Sequence, residues 1–171
     1  ILIVTEQGFG DTLQYMRYIP YLQKQGYKIS FCAQTKLHSL IQSSNIYSNP
    51  INPENSTKFL NGYWLPLLSV PRYLNINPNN PIITKPYIFP SNKLKNKWRN
   101  ILVEDKKYIV GLNWQGNPIM EKNYIGRSIP LERFANILEK NNIKFLSLQK
   151  GFGSEQLDNC SFKKEFVDCQ E

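Results

Sequence analysis

Two short stretches hold residue types that can do chemistry at a spacing that would focus it. The first is Glu6-Gln7-Gly8-Phe9-Gly10-Asp11-Thr12, directly after the apolar run Ile1-Leu2-Ile3-Val4. Its glycines let a ligand approach the backbone, and the Asp11 carboxylate can either cap the helix that follows or serve as a general base. The second is Gly111-Leu112-Asn113-Trp114-Gln115-Gly116-Asn117-Pro118, continued by Arg127-Ser128-Ile129-Pro130-Leu131. A glycine turn, a cation and a helix start at Ser128 make a donor set that suits a diphosphate. The bland alternatives are a surface ion pair for Arg127 and core packing for Trp114.

Several other chemistries lack their residues. A dinucleotide fingerprint needs a third glycine where Leu13 stands, and no Gly-Lys-Ser/Thr run is present for a phosphate-binding ATPase loop. His38 is the only histidine and the chain has no Cys-x-x-Cys pair, so neither a zinc site nor a Ser/His/Asp arrangement is expected. Three cysteines, Cys32, Cys160 and Cys169, fit reduced thiols and a cytoplasmic location better than a disulfide framework. No apolar run approaches the ~20 residues of a transmembrane helix. The net charge of +8 favours anionic partners such as nucleotide diphosphates. Lys93, Lys95, Lys97 and Arg99 around Trp98 read as the solvated face of a helix, and no nucleic-acid partner is expected.

The elements that must position these residues follow from pattern. A buried strand at Ile1–Val4 leads through the glycine loop into a helix with Leu13, Met16, Ile19 and Leu22 one turn apart. Pro20 should interrupt that helix and Gly26 should stop it. Tyr27 to Ala33 reads as a strand and Thr35 to Ser43 as a short helix. Residues 44 to 92 read mostly as loop, with an apolar patch at Trp64 to Leu68 and a short helix starting near Ser69. Ser91 caps a helix carrying Leu94, Trp98, Ile101 and Leu102. A second α/β pattern follows: a strand at Tyr108 to Trp114, a helix capped by Ser128, a strand at Lys144 to Leu148, then one more helix and the start of a strand. The expected organisation is an N-terminal Rossmann-like domain at 1–89, a linker helix at 90–106 and a partial second Rossmann-like domain at 107–171. Because the chain opens inside a buried strand without an initiator Met, it is expected to be a piece of a longer protein.

These motifs carry a family resemblance. Glu6-Gln7-Gly8-Phe9-Gly10-Asp11-Thr12-Leu13-Gln14 with Arg17-Tyr18-Ile19-Pro20 resembles the opening of the glycosyltransferase domain that follows tetratricopeptide repeats in many bacterial proteins, a domain related to the heptosyltransferases of lipopolysaccharide synthesis. The second motif, Arg127-Ser128-Ile129-Pro130-Leu131 and Ser147-Leu148-Gln149-Lys150-Gly151 are similar to its later signatures, in the same order. The resemblance implies a GT-B-like fold, two Rossmann-like domains facing across a cleft, and an inverting, metal-independent sugar transfer that needs no cofactor beyond a nucleotide-sugar donor. Asp11 would take the proton from the acceptor hydroxyl, on a loop comprising Glu6, Gln7, Gly8, Gly10, Gln14 and Arg17. Trp114, Gly116, Asn117, Arg127, Ser128, Gln149 and Lys150 would form the donor side. Arg127 would stabilise the leaving diphosphate, where a fixed donor is worth roughly 3–4 kcal/mol.

The family continues beyond Glu171 into further donor residues, so this piece alone is expected to be inactive. The alternative is a non-catalytic module, derived from such a transferase, that binds a nucleotide, a glycan or a protein. Sugar, nucleotide base and acceptor stay open, and a homo-oligomer would not be surprising.

Overall fold

The computed structural model describes residues 1–6, 8–59, 62–81, 85–102, 107–121, 126–138 and 142–169. The chain divides into two compact units, Ile1–Lys95 and Asn96–Glu171. Each is mixed α/β and contains a short parallel sheet, compatible with a Rossmann-like unit.

In the first unit β1 (Leu2–Val4) lies between β2 (Ser30–Cys32) and β3 (Trp64–Pro66), parallel to both. Ile3 stands opposite Phe31 on one side and Leu65 on the other. The central position explains the unbroken apolar run: Leu2 and Ile3 are both buried. The sequence predicts one disturbed helix after the glycine loop, and the structure has two, α1 (Phe9–Tyr15) and α2 (Tyr18–Lys24). A continuous helix would drive the Pro20 ring into the Met16 carbonyl and leave that carbonyl without its usual donor. Instead the chain turns at Met16–Arg17, the Ile19 N–H takes the Met16 carbonyl at 3.0 Å, and Pro20 falls in the first turn of α2, where its missing N–H costs nothing. α2 stops at Gly26, with φ of 87°.

The expected strand at Tyr27 to Ala33 narrows to β2, and the expected helix at Thr35 to Ser43 becomes a 3-10 turn (Thr35–Leu37) followed by α3 (His38–Ser43). The Trp64–Leu68 patch supplies β3, which sequence reading left within a loop. Pro66 is tolerated there because β3 is an edge strand. A 3-10 turn at Leu67–Ser69 and α4 (Val70–Tyr73) follow. Ile3, Met16, Ile19, Phe31, Ile41 and Leu67 form the fully buried centre of this unit. Burying each such side chain stabilises by about 1.5–3 kcal/mol before entropy is counted. The segment before α5 is tied to α3: the Phe89 carbonyl accepts both Ser43 and Ser44 hydroxyls, and the Phe89 N–H donates to Ser44 Oγ at 2.9 Å.

α5 (Asn92–Leu102) begins at Ser91, whose hydroxyl oxygen accepts the Leu94 N–H at 3.3 Å. The division between units falls inside this helix, and residues 103–106 of the expected linker lie outside the described residues. The second unit pairs β4 (Tyr108–Leu112) with β5 (Ile143–Ser147) in parallel, Gly111 opposite Leu146. Between them come α6 (Pro118–Glu121), a 3-10 turn (Leu131–Phe134) and α7 (Ala135–Leu138). After β5 come α8 (Gln156–Asn159) and a 3-10 turn (Lys163–Glu165). Phe166 then bridges Phe145 in the parallel sense, and the Val167 N–H donates to the Phe145 carbonyl at 2.8 Å. Phe145 is the pivot of this core, with ring centroids of Phe162 and Phe166 at 5.7 and 5.5 Å. Among the described residues no helix is long and apolar enough to cross a membrane.

Candidate functional site

Asp11 in the first unit, and Gly116, Ser128 and Gln149 in the second, lie on or against the connections that follow β1, β4 and β5. Open α/β sheets bind ligands there because the connecting loops and helix starts converge.

In the first unit the loop between β1 and α1 is exposed at Glu6, Gly8, Phe9 and Gly10. Gln7 lies outside the described residues. Asp11 is not the N-cap of α1. That position belongs to Gly8, and Asp11 sits three residues later, where its Oδ2 reaches back to accept the Gly8 N–H at 3.2 Å. The bond fixes the carboxylate while engaging only one of its oxygens, and the residue is half-buried. A carboxylate near a helix start also complements the exposed amide dipoles. Behind it, buried Thr12 donates its hydroxyl to Gln34 Oε1 at 2.9 Å, which locks the helix onto the segment after β2. On that same segment the Lys36 ammonium stands 6.0 Å from the centroid of the Phe9 ring.

Arg17 has a different setting from the one sequence implied. Its Nε donates to the Gln14 carbonyl at 2.7 Å, Nη2 donates to Tyr87 Oη at 3.0 Å, and its guanidinium carbon lies 4.5 Å from the Tyr87 ring centroid. Tyr87 in turn donates to the Leu13 carbonyl. Arg17 therefore braces the α1–α2 junction against a segment seventy residues away in sequence. Gln14 contributes its carbonyl to this brace and leaves its side chain exposed. Burial outweighs the opposing pull of Arg17 and pushes the neighbouring Tyr18 phenol upward.

In the second unit the turn after β4 is fastened from β5. Gln149 Oε1 accepts the Trp114 N–H at 3.2 Å and the Gln115 N–H at 3.0 Å, and its amide donates to the Gln115 and Phe152 carbonyls. Both ends of Gln149 are thus taken up by backbone. Trp114 is buried, with 2% of its surface exposed, and donates its indole N–H to the Gly153 carbonyl at 2.9 Å. It is a core residue, edge-on to Phe166. Gly153 has φ of 86°, and a Cβ added there would fall 2.7 Å from Gln115 Cβ, so only glycine fits.

Ser128 does not cap a helix. The element beginning at Leu131 is a 3-10 turn whose N-cap is Pro130, and the Leu131 N–H is taken by Gln156 Oε1 at 2.9 Å. Ser128 instead points back to the turn: its Oγ accepts the Gly116 N–H at 3.1 Å and donates to the Glu121 carboxylate, 2.7 Å from each oxygen. Asn117 caps α6 through its side-chain oxygen, which accepts the Ile119 N–H at 3.0 Å. Arg127 and Lys150 are exposed, and among the described residues Arg127 makes no ion pair. A cleft of about 560 Å³ opens beside the carboxyl end of β5, walled by Trp98 and Leu102 of α5 and by Leu148, Gln149 and Lys150.

Sequence reading missed Glu121, Gln156 and Gly153 as organisers of the second turn, and Tyr87 as the partner of Arg17. Only Gly153 had a visible sign, its glycine type next to a strand end. The others depend on contacts between segments distant in sequence. His38, set aside as a ligand, places Nε2 2.9 Å from the Ala33 carbonyl. Among the described residues no three His, Cys, Asp or Glu side chains come together as a metal site. No disulfide joins Cys32, Cys160 and Cys169, and burial pushes the Cys32 and Cys160 thiols up. Comparison of the chain with protein-family models, with curated proteins and with solved structures finds no match.

Proposed function

We propose that this chain carries acceptor-side and donor-side residues of an inverting, metal-independent glycosyltransferase of the GT-B type. The donor is a nucleotide sugar and the acceptor a glycan, lipid or protein hydroxyl. The observation that carries the reading is the state of Asp11. One carboxylate oxygen is oriented by the Gly8 N–H, and the other accepts no bond among the described residues, in the first turn of α1 beyond the carboxyl end of β1. A general base needs that combination: a fixed position and a lone pair free for the substrate proton. In the transfer step the acceptor oxygen attacks the anomeric carbon as its proton passes to Asp11. The bond to the diphosphate breaks as the new bond forms, and the diphosphate leaves with the bonding pair; Arg127 is the cation assigned to it within the second unit.

The test is Asp11→Asn in the protein, assayed with nucleotide sugars and candidate acceptors. The expected loss of transfer is on the order of 10²–10⁴-fold, the usual worth of a positioned base, with nucleotide-sugar affinity retained. Unchanged turnover removes Asp11 from the chemistry.

A second reading has its own observation. The Trp114, Gln115 and Gly116 N–H groups all have side-chain partners. A turn so satisfied suits a non-catalytic module that binds a nucleotide, glycan or protein. Calorimetry showing donor binding, with no product from any acceptor, would favour it.

A further inference from the structure

We propose that Glu121 is a tethered competitor for the phosphate seat of the turn after β4, an internal carboxylate that an incoming diphosphate must displace. The inference rests on the donor-side reading above and concerns how that seat is controlled. The contacts run in series. The Gly116 N–H donates to Ser128 Oγ at 3.1 Å, and the Ser128 hydroxyl donates to Glu121, with both carboxylate oxygens at 2.7 Å. The Gly116 N–H thus orients the Ser128 hydroxyl, and that hydroxyl alone donates to the negative charge, as it would to a phosphate oxygen in the carboxylate's place.

The close approach depends on residue 116 being glycine. A Cβ placed there would lie 2.5 Å from Glu121 Oε1, too near to be accommodated unless the carboxylate moved. The same point is 3.9 Å from Arg127 Nη2. The carboxylate and the guanidinium therefore converge on one glycine, yet they form no ion pair. Arg127 keeps its charge available while Glu121 holds the hydroxyl. Glu121 is kept in place by α6, whose N-terminal cap is Asn117 and whose Glu121 N–H donates to the Asn117 carbonyl at 3.1 Å.

Two anions cannot share this space without strong repulsion. A ligand therefore binds only the fraction of molecules in which Glu121 has left, and its apparent affinity falls by that fraction. If the carboxylate occupies the seat nine times in ten, its removal tightens binding about tenfold. Glycine at 116 then serves to admit the protein's own carboxylate as well as a ligand.

The experiment is calorimetric titration of the full chain with inorganic diphosphate, without divalent cations and at fixed ionic strength, for wild type, Glu121→Gln, Glu121→Ala and Arg127→Ala. Both Glu121 variants are expected to bind about tenfold more tightly than wild type, and Arg127→Ala more weakly. Circular dichroism establishes that each variant is folded. Binding by wild type with no tightening in either Glu121 variant overturns the competitor and leaves the seat standing. Absence of diphosphate binding in wild type and in both folded Glu121 variants overturns seat and competitor together. Tightening in a protein that transfers no sugar would sink the transferase reading and leave this inference intact.

Discussion

The loop after β1 and the turn after β4 use the same local theme, a parallel strand running into a glycine-containing connection, and they reach opposite states. The first is held by the Gly8 N–H to Asp11 bond and by Thr12 on the Gly8 carbonyl, and its residues Glu6, Gly8, Phe9 and Gly10 stay exposed. The second is stapled by four bonds from Gln149, by Ser128, and by a buried tryptophan hydrogen-bonded across to Gly153. A glycine turn therefore does not disclose whether its donors are free. Side chains that arrive from elsewhere decide, here one that lies 34 and 35 residues further along the chain.

The largest expected effect breaks the staple at its tightest point. Gly153→Ala would place a side chain in the left-handed region, worth roughly 1–2 kcal/mol, and force it into Gln115, adding a similar amount. A loss of about 3 kcal/mol is expected, confined to the second unit. Hydrogen exchange resolves it: amides of β4 and β5 should lose protection while those of β1 and β2 keep theirs. Equal loss in both sheets would show that the units unfold as one, and the comparison would then lose its independence.

A paired substitution sharpens the contrast. Gln149→Leu leaves the Trp114 and Gln115 N–H groups and two carbonyls without their partner, and should cost about 2–3 kcal/mol. Asp11→Asn keeps an oxygen for the Gly8 N–H and should cost no more than about 0.5 kcal/mol. Hydrogen exchange of the β1 and β4 amides reports each unit separately. If Asp11→Asn destabilised as much as Gln149→Leu, the carboxylate would be a structural cap and its role as a poised base would be untenable.

What sequence disclosed follows the range of the interactions. The Pro20 break, the Gly26 stop, the Ser91 cap and the α/β alternation depend on neighbours within a few residues, and all were legible. β3 was not, because three residues ending in Pro66 carry no periodic signal and exist as a strand only through pairing with β1. The predicted cap at Ser128 failed for the same kind of reason. Glu121 and Gly116 offer its hydroxyl a better-defined pair of partners than the loose 3-10 start at Leu131. Trp114 and Gln149 were expected on the donor side, while their fastening and core packing at the turn required the fold. Arg17 looked like a loop cation until Tyr87 was seen against it.

The smallest predicted effect concerns a second polar fastening in the same unit as the staple, this time on its surface. Glu132 accepts both the Ser161 hydroxyl and, at 3.1 Å, the Ser161 N–H. The hydroxyl bond first, and the backbone bond second, hold its carboxyl below the ordinary range. Because the folded value is lowered, its contribution is complete above the unfolded carboxyl range and disappears as pH falls through the folded value. Full exposure keeps that contribution slight. Ser161→Ala should move the Glu132 midpoint upward in a side-chain NMR titration and slightly flatten the acid limb of the second unit's stability profile, leaving the first unit's profile unchanged. An unmoved midpoint would mean that the serine hydroxyl does not fasten this surface turn, and that tight polar fastening in the second unit is confined to the connections after β4 and β5.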